Sequence, residues 1–93
     1  MTVLELLKGA VDGHVTERQF VEEFFKFFRG GPPIPDAEAQ CLSELVDDVN
    51  MAEHGGSLFG PTFIWRVEEC LRLLSTSASA SEIRSFFIKH RGP

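Results

Sequence analysis

The segment TERQFVEEFFKFFRGGPPIP, Thr16 to Pro35, decides how this chain folds. It opens with a capping box. The Thr16 hydroxyl and the Gln19 side chain, three positions apart, can satisfy two of the backbone N–H groups that a helix start leaves unpaired. At about 100° per residue, Phe20, Val21, Phe24, Phe25, Phe27 and Phe28 then share an arc of roughly 160°. Arg18, Glu22, Glu23, Lys26 and Arg29 take the other side. That period belongs to a helix, Glu17 to Arg29, and not to a strand. Gly30 suits its C-terminal cap, and the prolines that follow impose an extended turn. The five phenylalanines on the arc are expected to supply much of the core, at about 1.5–3 kcal/mol each if fully buried.

The same signals recur on both sides. Thr2 and Glu5 form another capping box, ahead of Val3, Leu4, Leu6, Leu7, Ala10 and Val11 on one arc; Gly13 ends that helix. Asp36 is expected to cap a third helix, Ala37 to Glu53. HGGSLFGP, His54 to Pro61, reads as a loop. A fourth helix runs from Pro61 or Thr62 to Leu74, with Phe63, Ile64, Val67, Cys70, Leu71 and Leu74 inward. STSASAS, Ser75 to Ser81, is a small-residue linker, and Ser81 is expected to cap a short last helix, Glu82 to Lys89. The loops are short and no strand pattern appears. The fold class is therefore all-α: an antiparallel four-helix bundle over residues 1–74, with a linker and an additional C-terminal helix in 75–93 docked through Ile83, Phe86 and Phe87.

Bulk properties narrow the function. Ninety-three residues suffice for one small domain. A hydrophobic content of 43% with 25% charged residues is that of a globular chain and not a disordered one. The net charge of −5 disfavours nucleic acid as a partner, since phosphates need a basic footprint, and suits a cationic one. No apolar run reaches the ~20 residues that span a bilayer, so no membrane partner is expected. The start, MTVLELLKGAVDG, lacks a basic front and a cleavage site and reads as part of the fold. Cys41 and Cys70 lie in no CxxC and read as buried free thiols of a reducing, cytoplasmic protein in preference to a disulfide. The histidines His14, His54 and His90 have no ligand spacing, so neither a metal nor a cofactor is expected. Nothing local joins a nucleophile such as Cys70 to a base, and no enzymatic activity is expected.

The third helix carries the clearest functional signal. Cys41, Leu42, Leu45, Val46 and Val49 fill one arc, and Glu44, Asp47 and Asp48 fill the opposite one at i, i+3 and i+4. No base on the helix pairs with them. Like charges at this spacing cost a few tenths of a kcal/mol, and the second half of a helix disfavours anions. The stripe reads either as a plain solvated face or as a surface built to receive a cation.

LLKGAVDGHVTERQFVEEFFKFFR followed by CLSELVDDVNMAEHGG resembles the colicin D-type immunity proteins. The shared features are Gly13, Val15, Thr16 and Phe20 leading into the second helix, Leu42, Leu45, Val46, Asp47, Asp48 and Glu53 leading to an acidic segment, and Arg66, Val67 and Leu71 on the last helix. The resemblance covers Val3 to Leu74. The chain departs from it at Val49-Asn50, at the Gly-rich loop after the third helix, and in the tail after Ser75. The resemblance implies an inhibitor that binds a basic, tRNase-like toxin nuclease in the cytosol of the producing cell; the chain itself is expected to be a monomer. Glu44, Asp47, Asp48 and Glu53 would stand in for RNA phosphates.

Two other features compete. Trp65 falls away from the apolar face of its helix. It is either covered by the C-terminal helix or exposed as a partner anchor, in which case the chain is a helical adaptor using Trp65 and the loop Gly55 to Gly60. GGSLFGP faintly resembles the modified loop of acyl and peptidyl carrier domains. Ser57 would then carry phosphopantetheine at the start of a helix.

Overall fold

The computed structural model describes residues 1–90; the last three positions of the expected 75–93 segment lie outside them. Five helices account for the ordered backbone: α1 (Val3–Asp12), α2 (Glu17–Phe28), α3 (Asp36–Glu53), α4 (Pro61–Ser75) and α5 (Ala80–Lys89). The all-helical class holds among the described residues.

The local reasons are those of the sequence at α1 and α2. Thr2 accepts from Glu5 N–H while Glu5 accepts from Thr2 N–H, and Thr16 and Gln19 do the same. Gly13 closes α1 with φ +80°, a left-handed conformation that suits glycine. Two caps differ from expectation. Asp36 is the first residue of α3 and makes no cap; Pro35 precedes it, and no side chain caps this end. Ser79, not Ser81, caps α5, paired with Glu82 in a third capping box. The Ser-x-x-Glu spacing fits Ser79 and excludes Ser81.

One core joins all five helices. Val3, Leu6, Leu7 and Ala10 of α1, Phe20 and Phe24 of α2, Cys41, Leu42, Leu45 and Val49 of α3, Phe63, Val67, Cys70 and Leu73 of α4, and Ile83 and Phe87 of α5 are buried together with Val15 and Leu58 from the turns. The α5 helix packs mainly along α3, and α4 packs on both α1 and α3. The C-terminal helix is thus part of the core and not an appendage: Ile83 is wholly buried.

The phenylalanine expectation needs correcting. Only Phe20 and Phe24 are buried; Phe25 and Phe27 are half-buried and Phe28 is 48% exposed. A 160° arc is wider than the neighbouring helices can cover, so its edges stay wet. Phe25 packs in part against the core, and the Arg29 guanidinium lies 5.1 Å from its ring centre. Leu4 is likewise exposed on α1, and on α4 Leu73, rather than Leu74, reaches the core.

Candidate functional site: the outer side of helix α3

Helix α3 is anchored by one side. Cys41, Leu42, Leu45 and Val49 are 0–1% exposed, so rotation about its axis is fixed by burial. Asp47 points away from this side and is exposed, with Ser43 and Asn50 on its flanks. Glu44 and Asp48 stand at the edge and are half-buried.

The expectation that this stripe lacks compensation is overturned at Asp48. Arg66 of α4 reaches across, with its Nε 3.9 Å from Asp48 Oδ2. One of its terminal nitrogens donates to the Glu44 backbone carbonyl at 3.4 Å. The compensation is partial. A separation of 3.9 Å is too long for a hydrogen bond, and the Arg66 Nε is buried with no hydrogen-bond partner. A half-exposed pair of this kind contributes about 0–1 kcal/mol. Glu44 accepts from the Gln40 side-chain amide at 2.6 Å, which orients the carboxylate without neutralising it. Among the described residues Arg66 is the one base within ion-pair distance of these three carboxylates, and it reaches Asp48 alone.

Two expected members do not join it. Glu53 is exposed in the last turn of α3, but it lines a separate groove of about 520 Å³ against α2. That groove is lined by the apolar Val21 and Phe25 and, besides Glu53, by the charged Glu22, Lys26 and Arg29. Sequence reasoning did not find it; its only trace was the pair of apolar residues at the edge of the phenylalanine arc. Trp65 is not an exposed anchor. Its ring stacks on Phe86 at 6.1 Å and meets Phe87 edge-on at 6.3 Å, while Arg72 caps Phe86 at 5.1 Å. The C-terminal helix covers it, and the adaptor reading loses its anchor.

Ser57 is exposed in the loop, ahead of the α4 cap Gly60 and of Pro61, the first residue of α4. It is not at a helix start, where the carrier reading requires it. That loop is held instead by Glu17, whose carboxylate accepts from the backbone N–H groups of both Leu58 and Phe59. Cys41 and Cys70 are both free and buried, as expected. Among the described residues no group of three His, Cys, Asp or Glu side chains is arranged to hold a metal ion, and no helix is long and apolar enough to cross a membrane.

The chemistry available at the outer side of α3 is ion pairing and hydrogen-bond acceptance from a rigid support. No family model, curated protein or solved structure matches the chain.

Proposed function

We propose that this chain is an immunity-type binding protein that occupies a basic toxin nuclease through the outer side of α3. The observation that supports it is Asp47, exposed between Glu44 and Asp48 on a helix whose opposite side is fixed in the core. A partner's lysines and arginines would meet these carboxylates where they otherwise meet RNA phosphates. The resemblance over Val3 to Leu74 supplies that class of partner, and the net charge of −5 suits it. The proposed surface is smaller than the sequence implied: Glu44, Asp47 and Asp48, without Glu53 or Trp65. Arg66 borders it, with its Nε 3.9 Å from Asp48 Oδ2, too far for a hydrogen bond, so the carboxylate stays available to a partner. An acidic surface of this kind acts chiefly on the association rate, by a factor of ~10–10³ at low salt.

The test is removal of charge without change of shape. The triple variant Glu44→Gln, Asp47→Asn, Asp48→Asn should keep the helical circular dichroism of the parent. Against a basic nuclease domain encoded beside this chain, it should associate at least about tenfold more slowly at low salt, with a flatter salt dependence. Equal association rates for parent and variant would reject α3 as the binding surface.

A further inference from the structure

Two clefts share Arg72 as a lining residue, on a surface built by α1, α4 and α5. The first, of about 400 Å³, lies between α1 and α4 and is lined by Leu4, Leu71 and Leu74 with Lys8, Arg72 and Ser75. Leu4 is 38% exposed, and Leu71 and Leu74 are half-buried, so apolar surface stays wet along the seam of two packed helices. The second, of about 460 Å³, lies between the end of α4 and α5, with Phe86, Ser85, Lys89 and His90 around it. Arg72 is fixed between them. Its Nε is 2.5 Å from Glu69 Oε2, and its guanidinium is 5.1 Å from the Phe86 ring centre. The charge of these clefts is opposite to that of the chain. Lys8, Arg72 and Lys89 line them against one carboxylate, Glu82, in a protein of net charge −5. That carboxylate is already engaged by the Ser79 N–H of its capping box. Among the described residues neither Lys8 nor Lys89 makes an ion pair, and both are exposed. Lys89 suits the negative end of α5, but Lys8 sits in the middle of α1 and has no such role.

We propose that this surface is a second docking site, for an acidic amphipathic helix of a partner protein. A groove between two helices receives the apolar ridge of a third, with the charged flanks of that helix meeting the rim. The stretches Leu4 to Lys8 and Leu71 to Ser75 each cover about one turn, or ~6 Å of helix. The α1–α4 cleft therefore takes one or two leucine-sized side chains of the partner. Carboxylates one turn away on the partner reach Lys8 on one side and Lys89 on the other. The occupant is a protein helix and not a bilayer, because the apolar side chains line a cleft and do not stand out as an insertable ridge. A nucleic acid fits less well still: leucines form the wall, and the chain as a whole repels a polyanion. The outer side of α3 takes no part, so this site stands or falls independently of the binding surface proposed above.

The experiment titrates the isotopically labelled full chain with a synthetic helical peptide, leucines at every third and fourth position and glutamates between them, at low salt. A second peptide carries lysine for every glutamate. Amide shifts in the nuclear magnetic resonance spectrum locate the contact, and fluorescence anisotropy of the labelled peptide gives the affinity. The glutamate peptide should shift Leu4, Lys8, Leu71, Leu74 and Lys89, and the lysine peptide should leave these residues unmoved. The double variant Lys8→Gln, Lys89→Gln changes two exposed side chains and should keep the parent's circular dichroism. It should bind the glutamate peptide about tenfold more weakly, with a flatter salt dependence. Leu4→Ser should weaken the same complex without altering its salt dependence. No shift at millimolar peptide would overturn the proposal, as would shifts confined to other surfaces or equal affinity for parent and double variant. Shifts at these residues on concentrating the chain alone would assign the cleft to a second copy instead. Shifts with anionic lipid vesicles but not with the peptide would assign it to a membrane; either result overturns the proposal.

Discussion

The carboxylate of Glu17 accepts the backbone N–H of Phe59 at 2.7 Å, tying the first turn of α2 to the loop that leads into α4. The same oxygen takes the N–H of Leu58, whose side chain is buried at 3% exposure. Two backbone donors in an otherwise irregular loop are satisfied by one side chain 41 and 42 residues away. Phe59 in turn stacks on Phe63 and meets Phe20 edge-on, so the loop continues the aromatic core. Glu17→Ala should cost about 1.5–3 kcal/mol, the range for hydrogen bonds to a charged group. Chemical denaturation checks this. Loss below about 0.5 kcal/mol would mean that water replaces the carboxylate without penalty.

Helix starts were largely legible in the sequence and the tertiary links were not, for a physical reason. The boxes at Thr2 and Thr16 are local, closed within three residues, and the structure keeps both. The Ser79 box obeys the same rule but lay hidden in a run of serines, each competent to cap. Glu17 with Leu58 and Asp48 with Arg66 depend on how helices cross, which helical periodicity does not encode. A helix taken alone therefore makes Asp48 look unpaired. It also makes every residue on a wide apolar arc look buried, whereas Phe28, at the arc's margin, is 48% exposed.

The Arg66–Asp48 link predicts an order among three substitutions. Asp48→Asn should change stability by less than about 1 kcal/mol, since the pair is long and half-exposed. Arg66→Met should be equally mild or slightly stabilising. It keeps an apolar stem and removes an Nε that is buried without a partner. Arg66→Ala should be the worst of the three, because it deletes the packed stem as well. Urea midpoints for the three variants would check the order; an Asp48→Asn penalty above Arg66→Ala would show that charge, not packing, dominates.

Glycine at position 9 faces two opposed effects. In a helix interior, alanine is favoured over glycine by about 0.5–1 kcal/mol. Here a Cβ would drive into the Cγ2 of Val15, a stiff, buried side chain, and the Gly9 carbonyl already accepts from His14 and Val15. Overpacking of that kind costs about 1–3 kcal/mol. Gly9→Ala should therefore destabilise overall, by about 1 kcal/mol, measured by thermal or chemical melting. Its partner test is Val15→Ala in the Gly9→Ala background, which removes the obstructing methyl groups. The second substitution should then cost less than it does in the parent.

Acid should loosen the two ends of the chain before its middle. The Glu5 carboxylate is held below its ordinary range by the backbone N–H of Thr2 and then by the Thr2 hydroxyl, and Glu82 is held down in the same way by Ser79. A folded-state value depressed below the unfolded one means stability that is fully present above the unfolded carboxylate range. That stability is lost as pH falls through the lowered folded value. In α2 the same position is Gln19, which accepts the Thr16 N–H at 3.0 Å and has no charge to lose. Below about pH 4.5, α1 and α5 should fray at their starts while the start of α2 stays closed. Amide hydrogen exchange at Glu5 and Glu82, compared with Gln19, resolves the three boxes. Glu82→Gln should copy the α2 arrangement and remove the acid response at α5. If exchange at all three starts accelerates together as pH falls, global unfolding and not box protonation governs the transition.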